Sequence, residues 1–373
     1  MAVTDFGSLD VARKRVWAAD IWVAGRDANF WMSQGFVGTS KNNVIERITE
    51  LTRTERGDEC IMQLVADLSG DGVIGDNVLE GSEEALFNDA ISLHIDQLRH
   101  GVRTKGQMAE QRTVIRFRST AKEKLSFWYA DKMDEMTFLT AAGISYGLKV
   151  DGSTRVGSQL ASLKFAADVV APSSGRIRYA NAATSLATLS TSDKLSWNMC
   201  LSLQAFAKRK RMKPIRAAGK EYYAFLMSTE QLRDLKSDAT YQQNVGRAAA
   251  RGESNPLFKA AVATIDGLVI FEHNKVPNTL GLASGSKWGV GGTVDGAQAM
   301  LLGAQAIGLA MLGEMSYEES DNTDYHNRPG IAVGRMIGLL KPQFASLTDL
   351  SGGIATKQDF GVVSLYTAAA PTA

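Results

Sequence analysis

The sequence predicts an α+β fold from which a long two-stranded ribbon projects. Three observations predict it. Two runs of period-two alternation flank an acidic, glycine-rich segment. A stretch free of proline and glycine, with helical apolar spacing, follows at once. Beyond it helices and strands are mixed, without the sustained βαβ alternation of a doubly wound sheet.

The ribbon lies within Glu46–Arg112. Cys60, Met62, Leu64, Ala66 and Leu68 fall on one face of an outgoing strand. Ile91, Leu93 and Ile95 share one face of the return, with Ser92, His94 and Asp96 opposite. The intervening SGDGVIGDNVLEGSEEALF is far too long for a turn. Compact domains rarely carry an unsupported loop of that size, and an isolated ribbon is marginal in water. Such an arm is expected to lie on another surface, and a second copy of the chain is the nearest one available. The loop begins like an EF-hand at Asp67, Ser69, Asp71 and Gly72. Val78 then stands where the bidentate glutamate belongs, so calcium is not expected.

Asp71, Asp76, Glu80, Glu83 and Glu84 instead make an acidic tip. The ribbon base and the start of the next helix are basic, through Arg99, Arg103, Lys105, Arg112, Arg116 and Arg118. The expected contact sets one copy's tip on the next copy's base, a heterologous arrangement that closes into rings. Exposed ion pairs contribute only about 0–1 kcal/mol each, so charge sets register while apolar contacts supply affinity. The alternative is an acidic loop that is merely solvated.

The helix is predicted over Met108–Ala142. Val114, Phe117, Ala121, Leu125, Trp128, Met133, Met136 and Leu139 form its apolar stripe, and Arg112, Arg116, Arg118, Lys122, Lys124, Asp131 and Glu135 its polar side. Gly143 suits a C-cap, and the helix would be on the order of 50 Å long. Ahead of the ribbon, Met1–Ser40 reads as an irregular arm with one short helix, Asp10–Val23. Its Trp17, Trp22 and Trp31 pack either on the chain's own core or on a neighbouring subunit.

After the long helix, residues 144–193 read as loops and short strands. Lys194–Lys213 reads as a helix ended by Pro214. Tyr222–Met227, Leu268–Glu272 and Ile331–Leu340 are strand candidates, and Ser228 with Gln231 has capping-box spacing for a helix through Lys236. Ala297–Leu312 reads as a buried small-residue helix, with room for a strand ahead of it. The tail after Ser351 has weak structural signal. Lys208, Arg209, Lys210, Arg211, Lys213 and Arg216 form the densest basic run. It sits at a predicted helix C-terminus, where cations favour the dipole; contact with DNA or an acidic neighbour is the functional reading.

The 373 residues carry 41 basic and 40 acidic side chains, a net charge of +1, which excludes a protein devoted to gripping nucleic acid along its length. A hydrophobic content of 45% excludes global disorder. Cys60 and Cys200 make no disulfide framework and are expected as small buried groups. No signal peptide or membrane span is expected. His94, His100, His273 and His326 lack metal-ligand spacing, and neither a P-loop nor a GxSxG elbow occurs. No cofactor, metal or enzymatic activity is expected.

Six blocks carry a family resemblance: GDNVLEGSEEAL (Gly75–Leu86), IDQLRHGVRTKGQMAEQR (Ile95–Arg112), MSTEQLRDLK (Met227–Lys236), NPLFKAAVATIDGLVIFEHNKVP (Asn255–Pro277), LLGAQAIGLAMLG (Leu301–Gly313) and HNRPGIAVGRMIGLL (His326–Leu340). In this order the chain resembles tailed-phage major capsid proteins of the N-four-like family. The resemblance implies a Hong Kong 97-like fold: an N-terminal arm (1–45), an extended hairpin loop (46–107), a peripheral domain with a spine helix (108–185), an axial domain (186–325), and a return to the peripheral domain with a C-terminal tail (326–373). It implies self-assembly into pentamers and hexamers of an icosahedral head around double-stranded DNA, held without sequence specificity. It further implies a portal protein, a decoration protein as an additional partner, and a location in the virion after assembly in the host cytoplasm. Because the arm begins near Met1, a separate scaffolding protein is expected. An encapsulin-like nanocompartment shares the fold and would be told apart by a neighbouring cargo gene. A soluble enzyme would form a small fixed oligomer with a titratable pocket.

Overall fold

The computed structural model describes residues 29–48, 59–65, 71–84, 88–108, 117–217, 219–247, 263–320, 325–351 and 354–371. The expected helix Asp10–Val23, Trp17, Trp22, Arg112, Arg116 and the side chain of Arg118 lie outside the described residues.

The chain runs through α1 (Phe30–Ser33), β1 (Val37–Gly38), β2 (Ile45–Ile48), β3 (Glu59–Val65), β4 (Asn88–His94), β5 (Asp96–Arg103) and the long helix α2 (Phe117–Ala142). It continues through β6 (Ile177–Tyr179), α3 (Trp197–Arg209), β7 (Ile215–Ala217), β8 (Lys220–Met227), α4 (Thr229–Ser237), α5 (Ala239–Arg247), β9 (Ala263–Ile265) and β10 (Leu268–Glu272). The last strands are β11 (Gly296–Leu302), β12 (Ile307–Ser320), β13 (Gly330–Leu340), β14 (Gln343–Ser351), β15 (Ile354–Asp359) and β16 (Val362–Ala368). The fold is α+β. One sheet is ordered β1-β2-β12-β13-β5; the other is ordered β6-β16-β11-β8-β10-β9, with β7 added against β8. Two separate ribbons, β3–β4 and β14–β15, complete the strands.

The second sheet is buried on both faces. On β8, Ala224 and Leu226 face one core while Tyr223, Phe225 and Met227 face the other; β10 and β11 divide in the same way. The first core lies against α2 and takes in the first sheet; the second is covered by α3 and α4. This corrects the expectation of a helix over Ala297–Leu312. The segment is β11, a turn and β12, and both faces of β11 are buried, so its apolar run has no period to read. The tail after Ser351 is also more ordered than expected. It holds β15 and β16, and β16 is an internal strand between β6 and β11. The chain changes sheets between Leu302 and Ile307, and β12 pairs with β13 and β2.

Local signals explain the other elements. Ser228 and Gln231 cap α4 reciprocally, as their spacing predicted. At the end of α2, the Ile144 N–H donates to the Leu139 carbonyl and Gly143 N–H to Thr140, a Schellman closure. Gly143 has φ +70°, and a Cβ there would stand 2.4 Å from the Val170 carbonyl oxygen. The 26 described residues of α2 span about 39 Å. Its early turns are amphipathic, but every residue from Met133 to Ala142 is buried. Glu135, expected on the polar side, is buried and ion-paired to Arg155 and, at 2.7 Å, to Lys132.

Candidate functional site

The ribbon pairs as its alternation predicts, with Cys60 opposite Leu93 and Met62 opposite Ile91. These four pack with Ile48, Ala310 and Leu340, while Ile61 and Val65 face outward. One-sided burial fixes the register, because a one-residue slip would turn the apolar face to water. Each strand has seven residues, so the tip stands roughly 20 Å beyond the ribbon's base.

The tip is more than acidic. Asp71, Asp76, Glu80, Glu83 and Glu84 are all exposed. Ile74, Val78 and Leu79 between them are exposed to 82%, 72% and 59%. The loop holds its shape locally: Asn77 Nδ2 donates to the Ile74 carbonyl at 2.6 Å, and Gly81 N–H donates to Glu83 Oε2 at 2.7 Å. Three large apolar side chains thus stand exposed together on one loop, a pattern that in proteins marks surfaces of interaction. The sequence displays them in GVIGDNVLEG, but the carboxylates drew the reading.

At the base, β5 is the edge strand of the first sheet. Arg99, Arg103 and Lys105 are exposed. Arg99 and Arg103 share a face with Gly101, opposite Gly334, Gly330 and Ala332 of β13. Gly334 leaves room for the Arg99 stem, since a Cβ there would meet Arg99 Cγ at 2.7 Å. A shallow cleft of about 390 Å³ opens here, lined by Val102, Arg103, Glu318, Ile331 and Ala332 among others.

Trp31, expected to pack either on its own core or on a neighbour, packs on its own core. It is 1% exposed and packs on Phe138 of α2, with ring centroids 4.7 Å apart. Asp134 of α2 fastens this segment by accepting the Phe30 N–H at 3.1 Å through both oxygens. Burial pushes Asp134 up to about 6 despite that hydrogen bond. His273 stacks on Phe138 and lies tilted against Phe30, and burial lowers it to about 4.

The basic run ends α3. Lys208, Arg209 and Arg211 are exposed and Lys210 half-buried. Arg209 lies over the Phe206 ring at 5.6 Å. Arg211 occupies the C′ position of a Schellman closure with φ +53°, where glycine is usual. Lys213 is turned inward: its Nζ donates to Gln305 Oε1, and burial lowers its pKa. Arg216 is tied to Asn42 by two backbone hydrogen bonds of 2.7 Å while its side chain reaches Glu221 at 3.6 Å.

Two carboxylates that sequence reasoning missed fasten the ribbon to the body. Asp168 takes both the backbone N–H and Nδ1 of His94, at 2.9 and 2.7 Å. Asp89 accepts the Ala345 N–H at 2.8 Å and pairs with Lys357 at 3.4 Å. Burial opposes ionisation of Asp89, yet these partners hold its carboxyl below the usual range. Among the described residues, no cluster of His, Cys, Asp and Glu is placed to hold a metal ion. No described helix is long and apolar enough to cross a membrane.

An edge-ended sheet, a double-faced sheet, a long helix and a projecting ribbon together make a Hong Kong 97-like capsid subunit. The solved capsid of Ralstonia phage GP4 matches with a TM-score of 0.77 at 28% identity, over 92% of each chain. The cyanophage Pam1 capsid matches with a TM-score of 0.69 at 18% identity, over 91% of this chain and 92% of that one, a likeness of fold. A family profile described as "Phage capsid protein" matches residues 7–371. The "Major capsid protein" of Pseudomonas phage KPP25 is 40% identical over 376 residues, 98% of each chain. The chain belongs to the phage capsid protein family and is a structural component of the virion.

Proposed function

We propose that this chain is the principal shell subunit of a tailed-phage head, assembling into hexamers and pentamers around double-stranded DNA. The observation that carries the proposal is the ribbon tip, whose Ile74, Val78 and Leu79 are exposed beside five carboxylates. One copy's tip lies on the next copy's β5–β13 face. The apolar side chains enter the cleft over the exposed Gly101 and Ala332, and the carboxylates turn toward Arg99 and Arg103 on the same face rather than toward Glu318. Each subunit gives a tip and receives one, so the contacts close into a ring.

Arg112 and Arg116 extend the receiving surface in this reading, and Trp17 and Trp22 add arm contacts with neighbours. The exposed Lys208, Arg209 and Arg211 meet packaged DNA, or an acidic neighbour, through sequence-blind contacts weakened by salt. A separate scaffolding protein guides assembly in the host cytoplasm, a portal occupies one vertex, and a decoration protein is a further partner.

The test is negative-stain electron microscopy of the purified chain, alone and with candidate scaffold. Closed shells or capsomer rings are expected. A uniform small oligomer under both conditions would refute the proposal. Reversal of Glu83 and Glu84 to lysine is expected to misdirect assembly while leaving the subunit folded; normal shells from that variant would remove the charge-pairing part.

A further inference from the structure

We infer that His94 is a proton-operated latch holding the outgoing strand of the ribbon to the body of the subunit. It is the last residue of β4, where the ribbon meets the body. Its Nδ1 stands 2.7 Å from Asp168 Oδ1, and its Nε2 stands 3.2 Å from Glu59 Oε1 on β3. One imidazole thus bridges two carboxylates, one on each side of the joint.

A neutral imidazole carries one N–H; only the cation donates at both nitrogens. Asp168 also accepts the His94 backbone N–H, so it is the better anchored partner and keeps the Nδ1 proton. Loss of the second proton therefore falls on Nε2. That nitrogen then presents a lone pair to the Glu59 carboxylate, and the attraction becomes repulsion. Glu59 opens β3, so its release loosens the outgoing strand first while β4 stays fastened through Asp168.

The surrounding elements do not replace this charge. Asp96 of β5 accepts the Lys164 backbone N–H at 2.9 Å, adding a further carboxylate nearby, and Lys164 is the cation of that turn. Gly338 of β13 and Ala345 of β14 face the ribbon without ionisable groups. Asp89 and Lys357 pair farther along the ribbon.

The sign follows from the contacts. The Asp168 hydrogen bond, with help from Glu59, raises His94 above the ordinary imidazole value. The latch is therefore fully closed below that ordinary value and opens as pH rises through the raised one. It acts within one subunit, whether or not the tip docks on a neighbour.

Hydrogen exchange of the intact chain, with its assembly state matched at about pH 6 and about pH 9, tests the latch. Protection factors correct for the intrinsic pH dependence of exchange, and β10 serves as the fixed reference. Protection of residues 59–65 is expected to fall on the order of tenfold between the two pH values. Glu59→Gln, an exposed substitution, is expected to abolish that fall, because an amide can donate or accept and suits either ring form. His94→Gln is expected to be pH-independent as well. A wild-type ribbon with unchanged protection, or a fall that Glu59→Gln leaves intact, would overturn the inference.

Discussion

Replacing Ile74, Val78 and Leu79 together with serine removes the apolar part of the ribbon tip. Their exposures of 82%, 72% and 59% amount to about two side chains' worth of apolar surface available to a partner. Full burial of one such side chain contributes about 1.5–3 kcal/mol, so the tip holds about 3–6 kcal/mol per contact. Exposed ion pairs add about 0–1 kcal/mol each and are screened by salt. The triple variant should therefore raise the concentration threshold for assembly at least a hundredfold, at about 1.4 kcal/mol per tenfold. The fold should not notice, because all three side chains face solvent within the subunit. Sedimentation across a concentration series reads the threshold, and thermal melting of the unassembled chain reads the fold. Assembly at the wild-type threshold would refute the reasoning. So would a large fall in melting temperature, which would place the three residues in the subunit's own core.

Two further predictions concern the subunit itself. Asp134, pushed up to about 6 by burial, favours the folded state while protonated, so it costs stability as pH rises from about 4 through 6. Asp134→Asn should remove that loss, worth about 2–3 kcal/mol at neutral pH, in urea titrations at about pH 4 and about pH 7; equal pH dependence in both proteins would contradict it. Arg211→Gly should raise the melting temperature, contributing about 1 kcal/mol by relieving a side chain at φ +53°. A fall would mean that contacts of the Arg211 side chain outweigh the backbone strain.

The parts of the fold legible in the sequence are those where burial is one-sided. Cys60, Met62, Ile91 and Leu93 show period two because one face of the ribbon packs and the other does not. Phe117 to Trp128 shows helical period for the same reason. Ser228 with Gln231 was readable because a cap is local. β11 and β16 were not readable: both faces are buried, so apolar residues run on without alternation. Glu135 was misplaced because Arg155, its partner, comes from a loop after the helix. The joint of His94 with Asp168 spans 74 positions, and nothing in either local sequence announces it. Trp31 looked like an arm residue awaiting a neighbour, but a helix cap at Asn29 and the Asp134 carboxylate turn it into the subunit's own core.

The account rests on one copy's ribbon tip covering the next copy's sheet edge. A reconstruction of assembled particles by cryo-electron microscopy, at a resolution that shows side chains, tests this directly. Ile74, Val78 and Leu79 are predicted to be buried over Gly101 and Ala332 of the adjacent subunit, with Arg99 and Arg103 facing the tip carboxylates. Particles in which the tip stays in solvent, or folds back on its own subunit, would contradict it.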